Sequence, residues 1–333
     1  MRNSSKIYGA LFALSLLFFV SCKKSYIEPS DTALDLALAD SRFSVFTKLL
    51  NENGLVSSLQ ANESFTIFAP TNEAFSKIDV SKLAKNDLVK LLNTHIVRNR
   101  RLSTDEIKSG IVQSPQRIEV FLSKNSSGIF INAKSKVISP DISASKGVIH
   151  VVDNVIVLPT QSLIERLRSD TQFSELLSWI SASGNNLEIS MGLPTVFGST
   201  ILAPTNEAFE ELYKTTPKAA LLADKKKVDE ILKFHRIGRR ILSNDFPDSK
   251  QPINTDLQPG FGPPMILYGA GAPLGREENF TITNLFTGQY QVVFDVNNGV
   301  KVRGIRSSVA NITSVDLLAT NGVIHKIDKV LLP

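Results

Sequence analysis

The sequence predicts two tandem copies of one mixed helix-and-strand domain, carried behind a removable N-terminal segment. Three observations predict it. The heptapeptide "APTNEAF" stands at residues 69–75 and again, unchanged, at 203–209. Further blocks recur around it in the same order, and each copy alternates between helical and strand periodicity. The chain's 333 residues also suit about two domains of ordinary size.

The N-terminus comes first. Arg2 and Lys6 precede the apolar run "IYGALFALSLLFFV", which stops at Ser21-Cys22. A basic start followed by an apolar run of this length predicts a secretory signal over 1–21. The run is shorter than the roughly 20 residues a membrane-spanning helix needs. Cys22 is the one cysteine in the chain, so no internal disulfide is expected. Its setting, "FVSC", resembles a bacterial lipobox, in which the cysteine is acylated and becomes the new N-terminus. Several acyl chains, at about 0.8 kcal/mol per buried methylene, make a permanent anchor. The expectation is a lipid-anchored protein of the bacterial cell envelope, at the outer membrane, facing the periplasm or the outside. Residues 22–30 would form its tether. "DTA" at 31–33 resembles a short O-glycosylation sequon centred on Thr32.

The first domain is expected over 31–159. "DLALADSRFSVFTKLLNENG" carries Leu36, Phe43, Phe46, Leu49 and Leu50 at helical spacing and ends at Gly54. "SFTIFA" is β-branched and aromatic, hence a strand. Pro70 ends its ladder, having no N–H to donate. Thr71 or Asn72 can cap the helix that follows, and Phe75 opens its apolar face. "APTNEAF" is therefore a strand-to-helix corner, and its repetition as Pro204, Thr205, Asn206 and Phe209 serves the fold. "LLNTHI" brings His95, and "GVIHVVDNVIVLP" is a closing strand with a half-buried His150 beside Val148 and Val152.

The second domain is expected over 162–333. "DTQFSELLSWI", "ILKFHRI" with His235, "RRILSNDF" and "GVIHKIDKVLLP" with His325 repeat the order of the first. The offset between copies grows from 130 to 175, so the second copy carries an insertion at about 245–300. Eleven of the 31 residues at 245–275 are Pro or Gly, which predicts a long irregular loop.

The corner, the histidine after a Leu-rich helix, and the terminal Gly-Val-Ile-His-x-x-Asp-x-Val-x-x-Pro box together resemble the fasciclin-type domain family, twice over and across nearly all the mature chain. The resemblance implies an α+β fold, each domain a β-sandwich-like wedge with a helical layer. It also implies adhesion and extracellular binding in place of catalysis. The Tyr-His pair of certain animal members is Thr94-His95 and Phe234-His235 here, so integrin-type binding is not carried over.

Composition narrows the chemistry. Without Arg2 and Lys6, 35 basic face 32 acidic side chains, a surplus of +3 that is too diffuse for nucleic acid. The four histidines are duplicated singles with no metal-ligand spacing, so neither metal nor cofactor is expected, and His95, His150, His235 and His325 are read as structural. No Gly-x-Ser-x-Gly elbow is present, and "GAGAPLG" at 269–275 lacks the Lys-Ser/Thr and helix of a phosphate cradle. Candidate binding residues are Arg239 and Arg240 in "RIGRR", able to grip carboxylate or sulfate, and Phe261 and Tyr268 in the insertion. The leading reading is a non-catalytic binding or adhesion lipoprotein with an unknown protein or glycan partner. A glycan-capture accessory of an outer-membrane uptake system, with Phe261 and Tyr268 stacking on sugar, is the alternative. A hydrolase using His235 or His325 as base is the third.

Overall fold

The computed structural model describes residues 31–59, 64–113, 119–184, 198–237, 240–246 and 309–332, and the backbone of short strands between 253 and 303. Thr32 caps helix α1 (Ala33–Ala39): its hydroxyl accepts the Asp35 amide, and the Asp35 carboxylate accepts the Thr32 N–H. The apolar spacing predicts one helix up to Gly54, but the structure breaks it at Asp40. There the carboxylate accepts the Arg42 N–H and opens a 3₁₀ turn over 41–43 before α2 (Ser44–Glu52). An aspartate offers the backbone an alternative partner, which the periodicity of apolar residues does not register.

The first domain continues with α3 (Leu55–Leu59), β1 (Phe65–Pro70), α4 (Asn72–Ser76), α5 (Lys85–Thr94) and β2 (Ile96–Arg98). Strands β3 (Gly110–Gln113), β4 (Glu119–Asn125), β5 (Gly128–Ile131), β6 (Ser135–Ala144) and β7 (Gly147–Val152) follow. The sheet order is β2-β1-β7-β6-β5-β4-β3, with β1 and β7 parallel and the other pairs antiparallel. Strand β6 serves both halves: Ser135 and Lys136 pair with β5, the rest with β7, across two register shifts. Asp141 sits in that irregular stretch at φ 58°. Bulges bend strands, and here the bend folds the sheet into a wedge.

Two apolar layers follow from the alternation of strand side chains. Phe68, Leu122, Ile131 and Val152 fill the wedge, while Ile67 and Ile149 meet Phe43, Phe46, Phe75 and Leu92 of the helical layer. Strands β1 and β7 are therefore buried on both faces. This corrects the half-buried closing strand expected from sequence: helices cover one face and the other half of the sheet covers the other.

The second domain repeats the plan. Helices α6 (Leu163–Arg168) and α7 (Ser174–Ala182) lead to β8 (Ser199–Pro204). Then come α8 (Asn206–Tyr213), α9 (Lys218–Ala223), α10 (Lys225–Phe234) and β9 (Arg236–Ile237). The insertion is not wholly irregular: β10 (Ile253–Asn254) pairs with β11 (Ile266–Leu267), and β12 (Thr281–Asn284) with β13 (Gly288–Gln291). Ladder bonds use only main-chain groups, so short non-proline stretches between the Pro and Gly residues can still pair. Strands β14 (Val293–Asp295), β15 (Lys301–Arg303), β16 (Ala310–Ala319) and β17 (Gly322–Ile327) complete a sheet ordered β14-β15-β16-β17-β8-β9, with β8 and β17 parallel. Gly322 opens β17 because a Cβ there would lie 2.2 Å from the Ser199 carbonyl oxygen; Gly147 meets the Phe65 carbonyl at 2.1 Å in the same way.

Candidate functional site

The repeated corner does two jobs. Thr71 caps α4 by accepting the Ala74 N–H at 3.1 Å, whereas Thr205 makes no such bond at the start of α8. Asn72 does not cap its own helix. Its Oδ1 accepts the Val45 N–H at 3.0 Å and its Nδ2 donates to the Ser41 carbonyl at 2.9 Å. Asn206 binds Glu175 N–H and the Thr171 carbonyl in the same way. The asparagine thus ties the corner to the start of the preceding helix. Phe75 stacks on Phe46 with ring centres 6.3 Å apart, and Phe209 lies 5.1 Å from Trp179; both are buried. Pro70 and Pro204 are the last residues of their strands, opposite Val152 and Ile327.

All four histidines are buried with both ring nitrogens engaged. His95 donates from Nδ1 to the Leu91 carbonyl at 2.8 Å and accepts the Ile156 N–H on Nε2 at 2.9 Å. His235 repeats this with the Ile231 carbonyl and the Leu331 amide. His150 uses the opposite tautomer, donating from Nε2 to the Leu102 carbonyl and accepting the Asp141 N–H on Nδ1. His325 matches it with Ile241 and Asp316. A carbonyl only accepts and an amide only donates, so each tautomer follows from its partners. Burial lowers the pKa of His95 and His235 to about 4 and depresses His150 and His325 as well.

Ser243, Asp316 and His325 converge, but not as a nucleophilic triad. The Asp316 carboxylate accepts from the Ser243 amide and hydroxyl, and only its main-chain N–H reaches His325 Nδ1. A triad needs the carboxylate on Nδ1 and the hydroxyl on Nε2, and Nε2 is spent on Ile241. Thr104, Asp141 and His150 take the same places in the first domain, with the Thr104 N–H on the Asp141 carboxylate. Sequence reasoning passed over the two aspartates. Both stand at φ near +58°, in the left-handed region that Asp tolerates, and an alignment of the two copies would have paired them.

Arg240 departs from its expected role as a free anion-gripping residue. Its guanidinium lies 3.7 Å over the Phe121 ring of the first domain, and Nη2 donates to the Thr320 carbonyl. Burial lowers its pKa to about 10, with Glu119 pulling the other way. Planar guanidinium stacks well on an aromatic face, so this side chain is committed to the protein. Cys22, Arg239, Phe261 and Tyr268 lie outside the described residues. Among the described residues, no group of three or more His, Cys, Asp or Glu could hold a metal, and no helix is long and apolar enough to cross a membrane.

The fold and these residues define a class: paired α+β domains whose repeated polar side chains hold the backbone. A Fasciclin domain model matches residues 41–159 and 171–333, and the chain belongs to that family. Transforming growth factor-beta-induced protein ig-h3 of Sus scrofa is 29% identical over 278 residues, covering 81% of this chain and 35% of its own. Periostin of Homo sapiens is 26% identical, covering 92% and 32%. The chain thus spans about a third of the length of these curated relatives. A solved FAS1 domain pair from the insect cell adhesion molecule fasciclin I is 18% identical, with a TM-score of 0.41, covering 88% of this chain and 97% of its own.

Proposed function

We propose that the protein is a non-catalytic binding lipoprotein of the bacterial cell envelope, anchored through Cys22 and recognising a protein or glycan partner. The observation that carries this reading is the family match over 41–159 and 171–333. The internal chemistry agrees with it: all four histidines have both ring nitrogens engaged with main-chain groups. A glycan array and a whole-cell pull-down with residues 23–333 test the reading, run beside a screen of generic ester and glycoside substrates. Saturable partner capture without turnover is expected. Turnover abolished by His325→Gln in a folded variant would overturn it.

A further inference from the structure

Strand β4 reads Glu119-Val120-Phe121-Leu122-Ser123-Lys124-Asn125, so Val120 and Leu122 point one way and the odd-numbered residues the other. Val120 and Leu122 fill the wedge of the first domain. The opposite face would meet water in an isolated domain, yet Phe121 is 9% and Ser123 0% exposed. The second domain accounts for this: Phe121 clusters with Leu242 and Val323, with Leu318 at the edge. Arg240 stacks on the same ring. Asn244 closes the contact from both sides, its Nδ2 donating to the Ala133 carbonyl and its own carbonyl accepting from Asn125 Nδ2, each at 2.8 Å. Ala133 stands at φ 63°, a costly conformation for alanine that persists only where surroundings enforce it.

We propose that the two domains work as one rigid unit, docked through the outer face of β4 and the Arg240–Asn244 segment, with Arg240 as the residue that positions one domain on the other. The docking is one-way. Thr66 Oγ1 accepts the Leu102 N–H and Thr200 Oγ1 the Ile241 N–H, which aligns the copies and pairs Arg240 with Arg101, Leu242 with Ser103 and Asn244 with Asp105. The second domain therefore presents an apolar receptor where the first presents Ser103 and Asp105, with Arg101 exposed. This goes beyond the binding reading and does not depend on the partner's identity.

The test uses the full-length protein and two readouts. In hydroxyl-radical footprinting, Ser123→Lys places a long charged side chain inside the interface. Oxidation of both Phe121 and Leu242 should rise severalfold while Phe68 and Trp179, in the two cores, stay protected. In a double-mutant cycle on urea unfolding, Phe121→Ala and Arg240→Ala should be sub-additive, with a coupling worth about tenfold in the folding equilibrium. Arg101→Ala should change neither readout. Protection of Leu242 surviving Ser123→Lys would overturn the proposal. So would additive effects of the Phe121 and Arg240 variants, which also decide the matter if Ser123→Lys exposes Phe68 through unfolding.

Discussion

Acidification should destabilise both domains between pH 6.5 and 4, and the buried histidines set the size of the effect. His95 and His235 each face a carbonyl on Nδ1 and a main-chain N–H on Nε2. Protonation would set an N–H against an N–H in a desolvated site, so the folded pKa falls to about 4. The unfolded value is about 6.5. Between the two, the unfolded chain binds more protons, so stability is complete above about pH 6.5 and is lost as pH falls toward 4. At about 1.4 kcal/mol per pH unit, each histidine costs roughly 2 kcal/mol by pH 5. His150 and His325 are shifted in the same direction and add to the loss. The carboxylates of Asp40 and Asp170, held below their ordinary values by Arg42 and Lys326, act only at more acidic pH. The assay is urea unfolding at constant ionic strength from pH 7.5 to 5. His95→Gln and His235→Gln should be weaker at pH 7.5 but show a flatter slope. A midpoint unchanged between pH 7.5 and 5, or a folded-state imidazole titrating near 6.5 by NMR at either position, would refute the reasoning.

Other perturbations have equally definite outcomes. Phe75→Ala or Phe209→Ala removes a ring packed on Phe46 or Trp179 and should cost about 3–5 kcal/mol by urea unfolding. Gly322→Ala drives a methyl to within 2.2 Å of the Ser199 carbonyl oxygen and should cost about 1–3 kcal/mol, read as a lower Tm. Ser123→Ala removes a buried hydroxyl that lacks a hydrogen-bond partner, and should raise Tm slightly.

The repeat made much of this protein legible in advance. Identical letters at the corner and the closing box located the strands that lead into the corner and close each domain, the buried Phe75 and Phe209, and His150 and His325, because those contacts lie within one domain and recur. What escaped was whatever depends on main-chain partners. The amides of Ile156, Leu331, Asp141 and Asp316 that engage the histidines carry no side-chain signal. Asn72 looked like a cap because asparagines often are, but its Oδ1 accepts the N–H of Val45, 27 residues away. Arg240 read as a binding residue because it stands beside Arg239 in the basic run "RIGRR". Its guanidinium is instead taken up by the Phe121 ring of the other domain and by the Thr320 carbonyl.

The proposed anchoring through Cys22 and the proposed partner binding at the cell envelope can be measured together. The direct measurement is attachment of cells carrying wild-type protein, Cys22→Ser protein or no protein to partner-coated surfaces, with the membrane fraction blotted in parallel. Under the proposed function, Cys22→Ser should leave the membrane fraction, or stay there with its signal uncleaved, and cells with the cleaved, released form should attach no better than the deletion strain. A mature, cleaved Cys22→Ser protein that remains in the membrane and supports full attachment would contradict it.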